Sequence, residues 1–420
     1  MIKNLEKLFV IGFFYGKNQE LSKSERRDIN MKIIVGSALF LGIGGVRSYV
    51  DTLKKALEIN GHEFDIAEPN LLGLKNKMIA SLMSYGNKDK ARKELIKLQA
   101  IGTQKKMINI LNNIQNKKKC IIHVQDALCA SIVNDLKAPL VLTVHGPLSR
   151  EVGMHGKTGN IYYSYLYQSE KKGYERADRI IAVDTGQKEI IINDFGIMPE
   201  KISVILNAVD TELFAPIDTS NIKNNKHNVS YYLVPRRLVP KNGVSIAIEA
   251  FKILEDTTDE LWIAGEGPDR SSLEEQVKRE KLSGKVRFLG AISQREMVEI
   301  MNFSKGIIIP SIPINGVIEA SSISALEGMS VSKPVIASNI GGLAEMIIHK
   351  SNGLLFDAGN SYMLSESIKM INSNLDLSNQ IGKRAREYVI ENHSKEVWIK
   401  KIEEVYHKAH SDFYVGNQNI

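Results

Sequence analysis

Short, wholly apolar runs alternate with helical patterns along most of this chain, in two successive series. Fully apolar strands that alternate with helices are typical of parallel sheets covered by helices on both faces. We therefore predict an α/β protein with two doubly wound domains, whose strand carboxyl ends face a common cleft. The predicted strands contain residues 33–35, 121–122, 140–142, 180–182, 231–234, 261–263, 307–309 and 335–337.

A polar segment marks the boundary between the two series. Residues 218–228 are almost free of apolar side chains, and the first series ends shortly before them. We therefore predict a first domain over residues 31–210 and a second domain over residues 211–390. Residues 1–30 precede the first predicted strand and are interpreted as an appendage.

Composition excludes several classes of protein. The chain has 420 residues, of which 43% are hydrophobic, so it can bury a large core and extensive disorder is excluded. Its two cysteines, Cys120 and Cys129, are too few for a disulfide framework or a tetrahedral zinc site. No apolar stretch reaches the roughly 18 to 20 residues that span a bilayer. The apolar run at residues 8–14 lacks a following cleavage site, so a cytoplasmic protein is predicted.

Basic residues outnumber acidic residues by 55 to 48, which gives a net charge of +7. They crowd between Lys75 and Lys119, where apolar residues interleave at helical spacing. Basic amphipathic helices bind anionic membrane surfaces, although these apolar positions also fit inward packing. Nucleic acid is not expected as a partner, because the charge excess is local and no binding motif accompanies it. The interleaved apolar residues are Leu95, Leu98, Met107, Ile110, Leu111 and Ile114.

Two glutamates, Glu319 and Glu327, follow a predicted strand with seven residues between them. A helix is predicted to begin near Ser321, and its free backbone amides would suit a diphosphate. One carboxylate would then precede the helix, and the other would lie about two turns inside it. Such a pair can bind hydroxyl groups on both sides of a diphosphate. The spacing alone also fits a capping residue followed by a surface glutamate.

Further candidates for the cleft follow other predicted strands. Arg237 and Lys241 lie between a strand end and a helix start, where cations can neutralise a leaving diphosphate. His145 directly follows a buried strand, which suits a position in the cleft. Gly44 and Gly45 precede a helix and would let the backbone approach a phosphate. Solvated charge, a structural histidine and a tight turn are the simpler alternatives for these three features.

Other residues and absences narrow the chemistry. His123 and Asp126 follow a neighbouring strand and are interpreted as structural. No two aspartates lie two apart, so an Asp-x-Asp metal clamp on a nucleotide diphosphate is missing and no metal site is predicted. The phosphate-binding loop of ATP-dependent enzymes and the Gly-x-Ser-x-Gly elbow of esterases are also missing.

Taken together and in this order, these segments resemble the family 4 glycosyltransferases, which have the GT-B fold. The likeness runs from about residue 31 to about residue 410. Its strongest part is the segment from Glu319 to Glu327, which is similar to the paired-glutamate pattern of the family. The other similar segments are residues 44–45, 143–146, 177–183, 207–210, 237–240, 265–268, 334–338 and 341–345.

The resemblance implies a retaining, hexosyltransferase-type enzyme that needs neither metal nor cofactor and uses a UDP- or GDP-linked sugar. The second domain would bind this donor. Glu327 would hold the ribose hydroxyls and Glu319 would contact the transferred sugar. Arg237 would stabilise the departing diphosphate, assisted by the amides near Ser322 and Ile323.

The resemblance also assigns roles to the first domain. His145 would reach the sugar, Gly44 and Gly45 would lie beside the phosphates, and the acceptor would be a glycan or a lipid-linked hydroxyl. The last helices, within residues 391–420, would cross back to this domain. The family often has lysine where this chain has Asn242, and Lys241 can substitute for it.

A non-catalytic nucleotide-sugar-binding protein of the same fold is the alternative function. The presence of Glu319, Glu327 and Arg237 argues against it, because a degenerate site should have lost at least one of them. The glycine-rich residues that usually follow the first glutamate of the family pattern are replaced by Ala320, Ser321 and Ser322. This replacement reduces backbone freedom beside the sugar.

Overall fold

The computed structural model describes residues 30–39, 44–69, 87–133, 137–153, 159–217, 229–254 and 257–416. Within these residues the chain forms two six-stranded sheets, in which every strand pairing is parallel. The two doubly wound domains predicted from the apolar runs are thereby confirmed. The proposed appendage, apart from its last residue, lies outside the described residues.

The first sheet has the strand order β2-β1-β3-β4-β5-β6. Its residues alternate between two apolar clusters: Ile34 and Ile122 face one, and Ile33 and Ile121 face the other. Since both faces are covered, the inner strands are apolar at most positions. The strands are β1 (Lys32–Gly36), β2 (Glu63–Ala67), β3 (Cys120–Val124), β4 (Leu140–Val144), β5 (Arg179–Ala182) and β6 (Ile202–Val204). The helices are α1 (Gly45–Ile59), α2 (Lys88–Asn112), α3 (Ala127–Ile132), α4 (Leu148–Gly153), α5 (Ile161–Arg176) and α6 (Thr185–Phe195).

The second sheet repeats this arrangement, with the strand order β12-β11-β10-β7-β8-β9. Tyr232 and Val234 face one apolar cluster, and Tyr231 and Leu233 face the other. The strands are β7 (Tyr231–Pro235), β8 (Glu260–Ala264), β9 (Val286–Gly290), β10 (Gly306–Ile309), β11 (Val335–Ser338) and β12 (Leu354–Phe356). The helices are α7 (Val244–Ile253), α8 (Arg270–Arg279), α9 (Gln294–Phe303), α10 (Ile323–Ser330), α11 (Gly341–Met346), α12 (Ser361–Ser373), α13 (Leu375–His393) and α14 (Lys395–Gly416).

Helix α14 follows the second domain but packs against the first. Its Trp398 and Tyr406 are buried in the same apolar cluster as helix α1. At its start, the buried Lys395 lies 3.0 Å from the Asp210 carboxylate, in the segment that leaves the first domain. Val209 donates its backbone N–H to the carbonyl of His393 at 3.0 Å. The two chain segments that connect the domains therefore run side by side.

His123 and Asp126 are structural, as interpreted from the sequence. The His123 ring is fully buried and lies 2.8 Å from the Tyr406 hydroxyl and 2.7 Å from the Thr143 hydroxyl. Burial lowers the pKa of His123 to about 3, so the ring is neutral. Asp126 accepts a hydrogen bond from the backbone of Cys129 at 2.7 Å and caps helix α3.

The basic stretch of the first domain is described in part, as helix α2 and the residues that follow it. Its Met107 and Leu111 are buried in the core, and Ile110 and Ile114 pack against that core. The expected apolar face is therefore turned inward, and the charges that remain outside form a solvated basic surface. Among the described residues, every helix is too short or too polar to span a bilayer. The exposed cations of helix α2 are Lys88, Lys90, Arg92, Lys97 and Lys105.

Candidate active site

The carboxyl ends of the two sheets face each other across a cleft. A pocket there is lined by His145 and Gln187 from the first domain and by Lys241, Ile318 and Ala320 from the second. Residues predicted from both domains therefore lie around one cavity. Ala320 directly follows Glu319, so the glutamate segment borders the same space as His145.

Side chains at the rim of the cleft connect the two domains. Arg150 donates to the carbonyl of Gly316 at 3.1 Å. Glu345 accepts two hydrogen bonds from Thr185, one from the backbone N–H and one from the hydroxyl, each at 3.0 Å. Lys241 of the second domain forms an ion pair with Glu151 of the first. The two domains are thus in contact around the site.

Helix α10 places the two glutamates at different depths. The helix begins at Ile323 with Ser322 as its N-terminal cap, so Glu327 lies about one turn inside it and not two. Glu327 is 8% exposed, and its carboxylate has no hydrogen-bond partner among the residues that the structure describes. Burial raises its pKa to about 8. A buried carboxyl group without a partner in the protein is suited to form hydrogen bonds with a ligand.

The backbone of the glutamate segment packs directly against two glycines, Gly341 and Gly342. A Cβ atom on Gly341, whose φ is +47°, would lie 2.2 Å from the carbonyl oxygen of Glu319. A Cβ atom on Gly342 would lie 2.5 Å from the backbone nitrogen of Ser321. Any larger residue at these positions would displace the segment, because such distances are far inside van der Waals contact.

Asn207, in the segment between the domains, also holds this part of the site. Its backbone N–H donates to the Ser321 hydroxyl at 3.0 Å, and its side-chain amide donates to the Ser321 carbonyl at 2.6 Å. The carbonyl of Asn207 is in turn 2.8 Å from Nδ1 of His393. Asn207 was not predicted as a site residue, although it belongs to the similar segment 207–210.

The arginine that contacts Glu319 is Arg236, which was not predicted as a site residue. Nη2 of the buried Arg236 lies 2.8 Å from Oε2 of Glu319. The Arg237 side chain is exposed, and it remains a candidate ligand for a diphosphate. Adjacent side chains on an extended chain point to opposite sides, so only one of the two arginines can face Glu319. Nothing in the sequence indicated which one.

The two residues that follow in this loop have separate partners. Lys241 lies 2.9 Å from Glu151 of the first domain. Asn242 is buried, accepts a hydrogen bond from Arg236 at 2.5 Å and donates to the carbonyl of Arg237 at 2.7 Å. The structure therefore brings Lys241 to the rim of the cleft, and it brings Asn242 to Arg236.

His145 is neutral and held by two neighbours. Its Nε2 lies 3.0 Å from Oε1 of Gln125, so the ring donates there and Nδ1 carries the lone pair. Tyr49 packs against the ring edge-on, with the ring centroids 4.8 Å apart. Burial lowers the pKa of His145 to about 4. Gln125 was missed by sequence reasoning, although it directly follows strand β3 at the same edge of the sheet.

The starts of helices α1 and α10 lie close together. Val46 and Ile323, each in the first turn of its helix, pack against one apolar cluster. Gly44 caps helix α1 with a φ of +146°, and a Cβ atom on Gly44 or Gly45 would have no heavy atom of the described residues within 4 Å. Within the described part of the chain, the space beside both glycines is therefore open, and the binding of a phosphate there stays a prediction. In the described residues, no three His, Cys, Asp or Glu side chains are grouped so as to hold a metal ion.

Comparisons with known proteins agree with this architecture. The family description "Glycosyltransferase Family 4" matches residues 43–213, and "Glycosyl transferases group 1" matches residues 217–388. The two matches cover the two domains in turn. The chain belongs to the family 4 glycosyltransferases. The resemblance predicted from the glutamate pair and the accompanying segments is thereby confirmed.

Two relatives of this family 4 glycosyltransferase are similar to it over nearly their whole length. An uncharacterised glycosyltransferase of Methanocaldococcus jannaschii is 27% identical over 368 residues, which cover 86% of this chain and 93% of the relative. The N-acetyl-alpha-D-glucosaminyl L-malate synthase of Bacillus anthracis is 23% identical, over 91% of this chain and 98% of the relative. Both alignments include the two domains.

Solved structures show that the fold is GT-B, as predicted. Sucrose-phosphate synthase from Thermosynechococcus elongatus has a TM-score of 0.72 at 18% identity and covers 90% of this chain and 98% of its own. The Anabaena protein HepE, in complex with UDP-glucose, has a TM-score of 0.67 at 18% identity and covers 89% and 98% respectively. At this identity the likeness establishes the fold of the glycosyltransferase alone.

Proposed function

We propose that the protein transfers a sugar from a nucleoside-diphosphate donor to a hydroxyl acceptor with retention of the anomeric configuration. The observation that carries the proposal is the Glu327 carboxylate, which is buried and has no partner among the described residues. It lies one turn inside helix α10, whose start adjoins the open space beside Gly44. A nucleoside diphosphate has a ribose next to its phosphates. The carboxylate of Glu327 suits the ribose hydroxyls, and the helix start with the glycine loop suits the phosphates.

Glu327 is proposed to bind the ribose. The two hydroxyls of a ribose can donate hydrogen bonds to the two oxygens of a carboxylate. These bonds would replace the solvent that the buried Glu327 lacks, and they would favour its ionised form. Binding of the donor therefore offsets part of the cost of burying the charge.

The diphosphate is proposed to lie at the start of helix α10. Free amides near Ser322 and Ile323 and the positive end of the helix dipole favour an anion there. Gly44 and Gly45 would allow the backbone of the first domain to approach the same oxygens. Arg237 is exposed beside this region, so a cation is available for the leaving group. These groups support a reaction that needs no metal ion.

Glu319 and His145 are proposed to contact the transferred sugar. Glu319 precedes the start of helix α10 and directly adjoins Ala320, which lines the same pocket as His145. The neutral His145 ring can accept a hydrogen bond from a sugar hydroxyl at Nδ1, because its Nε2 donates to Gln125. Retention of configuration, a hexose donor and independence of metal are supported by membership in family 4. The UDP-glucose bound by HepE supports a uridine donor, and a guanosine donor remains the second candidate.

The acceptor is proposed to be a hydroxyl of a glycan or of a lipid-linked intermediate. We propose a cytoplasmic protein that docks reversibly on an anionic membrane face through helix α2. The exposed cations of that helix support an electrostatic contact. Because Met107 and Leu111 pack inward, no apolar insertion is part of this proposal.

A donor screen tests the proposed activity. The protein is incubated with UDP- and GDP-linked hexoses, and release of the nucleoside diphosphate is measured with and without candidate acceptors. We expect slow hydrolysis of one donor and, with an acceptor, a product that keeps the anomeric configuration by NMR. Tight nucleotide-sugar binding without any hydrolysis or transfer would favour the non-catalytic alternative.

The Glu319→Gln variant separates these two functions. Losing a polar contact made in the transition state commonly lowers turnover by about a hundredfold or more. We therefore expect Glu319→Gln to bind the donor normally and to turn it over slowly. Normal turnover by this variant would remove Glu319 from the mechanism.

A further inference from the structure

The Arg236 guanidinium joins three separate segments of the candidate site. Nη2 lies 2.8 Å from Oε2 of Glu319, and it donates to Asn242 at 2.5 Å and to Ser311 at 3.2 Å. Nη1 donates to the hydroxyl of Ser322, the cap of helix α10, at 3.1 Å. One buried cation therefore connects the loop after β7, the end of β10 and the glutamate segment.

The environment of Arg236 fixes the guanidinium in one position. Its side chain is 8% exposed and that of Glu319 is 12% exposed. The amide of Asn242 accepts from Arg236 while it donates to the carbonyl of Arg237 at 2.7 Å, so the amide cannot rotate without losing a bond. Nε of Arg236 is also buried and has no hydrogen-bond partner among the described residues, so the guanidinium is enclosed by the protein.

The ion pair with Arg236 engages only one of the two carboxylate oxygens of Glu319. Oε2 faces Arg236, while Oε1 has no hydrogen-bond partner among the described residues. A carboxylate bound by a fixed cation on one oxygen presents the other oxygen in a defined direction. Glu319 would otherwise rotate about its side-chain bonds and lose that direction.

We propose that Arg236 is the positioning residue that aims Glu319 at the transferred sugar, with Asn242 as the residue that fixes Arg236. This inference rests on the proposed function and adds two residues to it. Arg236 acts through Glu319 and does not touch the donor. Asn242 is uncharged, and its side-chain amide holds the Arg236 guanidinium in place.

The test compares the variants Arg236→Gln and Arg236→Lys with the unmodified protein. Misplacing a group by about 1 Å can cost roughly a hundredfold in rate. We expect Arg236→Gln to lower kcat by about this factor and to change the donor KM little, because ribose and diphosphate contacts come from other residues. Arg236→Lys keeps the charge with fewer donors, so we expect it to recover about tenfold of the loss.

A second substitution tests whether a cation at this position is enough to orient Glu319. Asn242 Oδ1 lies 2.5 Å from Nη2 of Arg236, so a lysine at position 242 can bring an ammonium group to the vacated place. We expect Asn242→Lys to raise the kcat of Arg236→Gln. Lys383→Gln, which alters a cation that is 79% exposed on helix α13, is the matched control and should leave all constants unchanged.

Folding is checked by thermal melting and by binding of UDP or GDP to each variant. If Arg236→Gln does not fold, the Arg236→Lys variant and Asn242→Lys in its background replace it. A folded Arg236→Gln variant with unchanged kcat, or an equal loss in kcat and in nucleotide affinity, would overturn the inference. A wild-type protein that binds no nucleotide would instead overturn the proposed function, and the inference with it.

Discussion

Lys241 of the second domain lies 2.9 Å from Glu151 of the first. A lysine predicted to bind the diphosphate is therefore engaged at the rim of the cleft by a carboxylate. Its charge becomes available to a ligand only when this pair opens. The pair is partly exposed, with side chains 26% and 44% accessible, so solvent and salt weaken it.

Removing the carboxylate should strengthen nucleotide binding. In Glu151→Gln, Lys241 is free to turn toward the phosphates, and we expect affinity for UDP or GDP to rise a few-fold at low salt. Titration calorimetry measures the affinity for UDP or GDP. The control is the double variant Glu151→Gln with Lys241→Ala, in which the gain in affinity should be absent. Equal affinity in wild-type and Glu151→Gln protein would mean that Lys241 is not a phosphate ligand.

The buried carboxyl of Glu327 should make the ligand-free protein less stable as pH rises. Its pKa is raised from 4.5 to about 8, so between these values the folded state binds more protons than the unfolded state, and the free energy of unfolding falls with pH. The penalty is absent below about pH 4.5, grows up to about pH 8 and is constant above it. It amounts to a few kcal/mol at most.

Thermal melting across this pH range checks the prediction. Glu327→Gln has no charge to bury, so its Tm should exceed that of the wild type by a margin that widens as pH rises. A saturating nucleoside diphosphate should narrow the margin, because the ligand satisfies the carboxylate in the wild type only. A difference in Tm that does not depend on pH would show that Glu327 is not the group responsible.

Activity should survive the removal of divalent cations. The helix start and Arg237 offer positive charge to the leaving diphosphate without a metal ion. We expect the rate in excess EDTA to match the rate with added Mg²⁺ or Mn²⁺. The prediction fails if EDTA abolishes turnover and only one of these ions restores it.

Helix α2 should bind anionic vesicles through charge alone. Each lysine or arginine near such a surface contributes about 1 kcal/mol, and screening within roughly 8 Å at physiological salt should weaken the contact. We expect sedimentation with vesicles that contain phosphatidylserine at low salt, and none with neutral vesicles. Reversing Lys88, Lys90 and Arg92 to glutamate should abolish it.

Reversal of three exposed cations on helices α13 and α14, Lys383, Arg384 and Lys400, is the matched control and should leave vesicle binding unchanged. Equal binding to neutral and anionic vesicles would exclude electrostatic docking. Equal losses in the two triple variants would mean that total charge, and not helix α2, attracts the vesicles.

The fold could be predicted from the sequence because its signals are local. A strand covered on both faces is apolar at most positions, as residues 121–122 and 307–309 are, and the helices between them bury one stripe. The location of the cleft followed as well, since parallel strands end at a common edge. His145, Glu319 and a helix start near Ser321 were predicted on that basis, and the helix begins at Ile323.

Tertiary structure alone decided which partners these residues take. Arg236 and Arg237 are equivalent in the sequence, and only the packing of three distant segments brings Arg236 to Glu319. The pairs Lys241–Glu151 and His145–Gln125 likewise join residues from separate strands or domains. Local pattern determines whether a residue lies at a strand end. The direction of its side chain depends on contacts between segments far apart in the chain, and these exist only in the folded molecule.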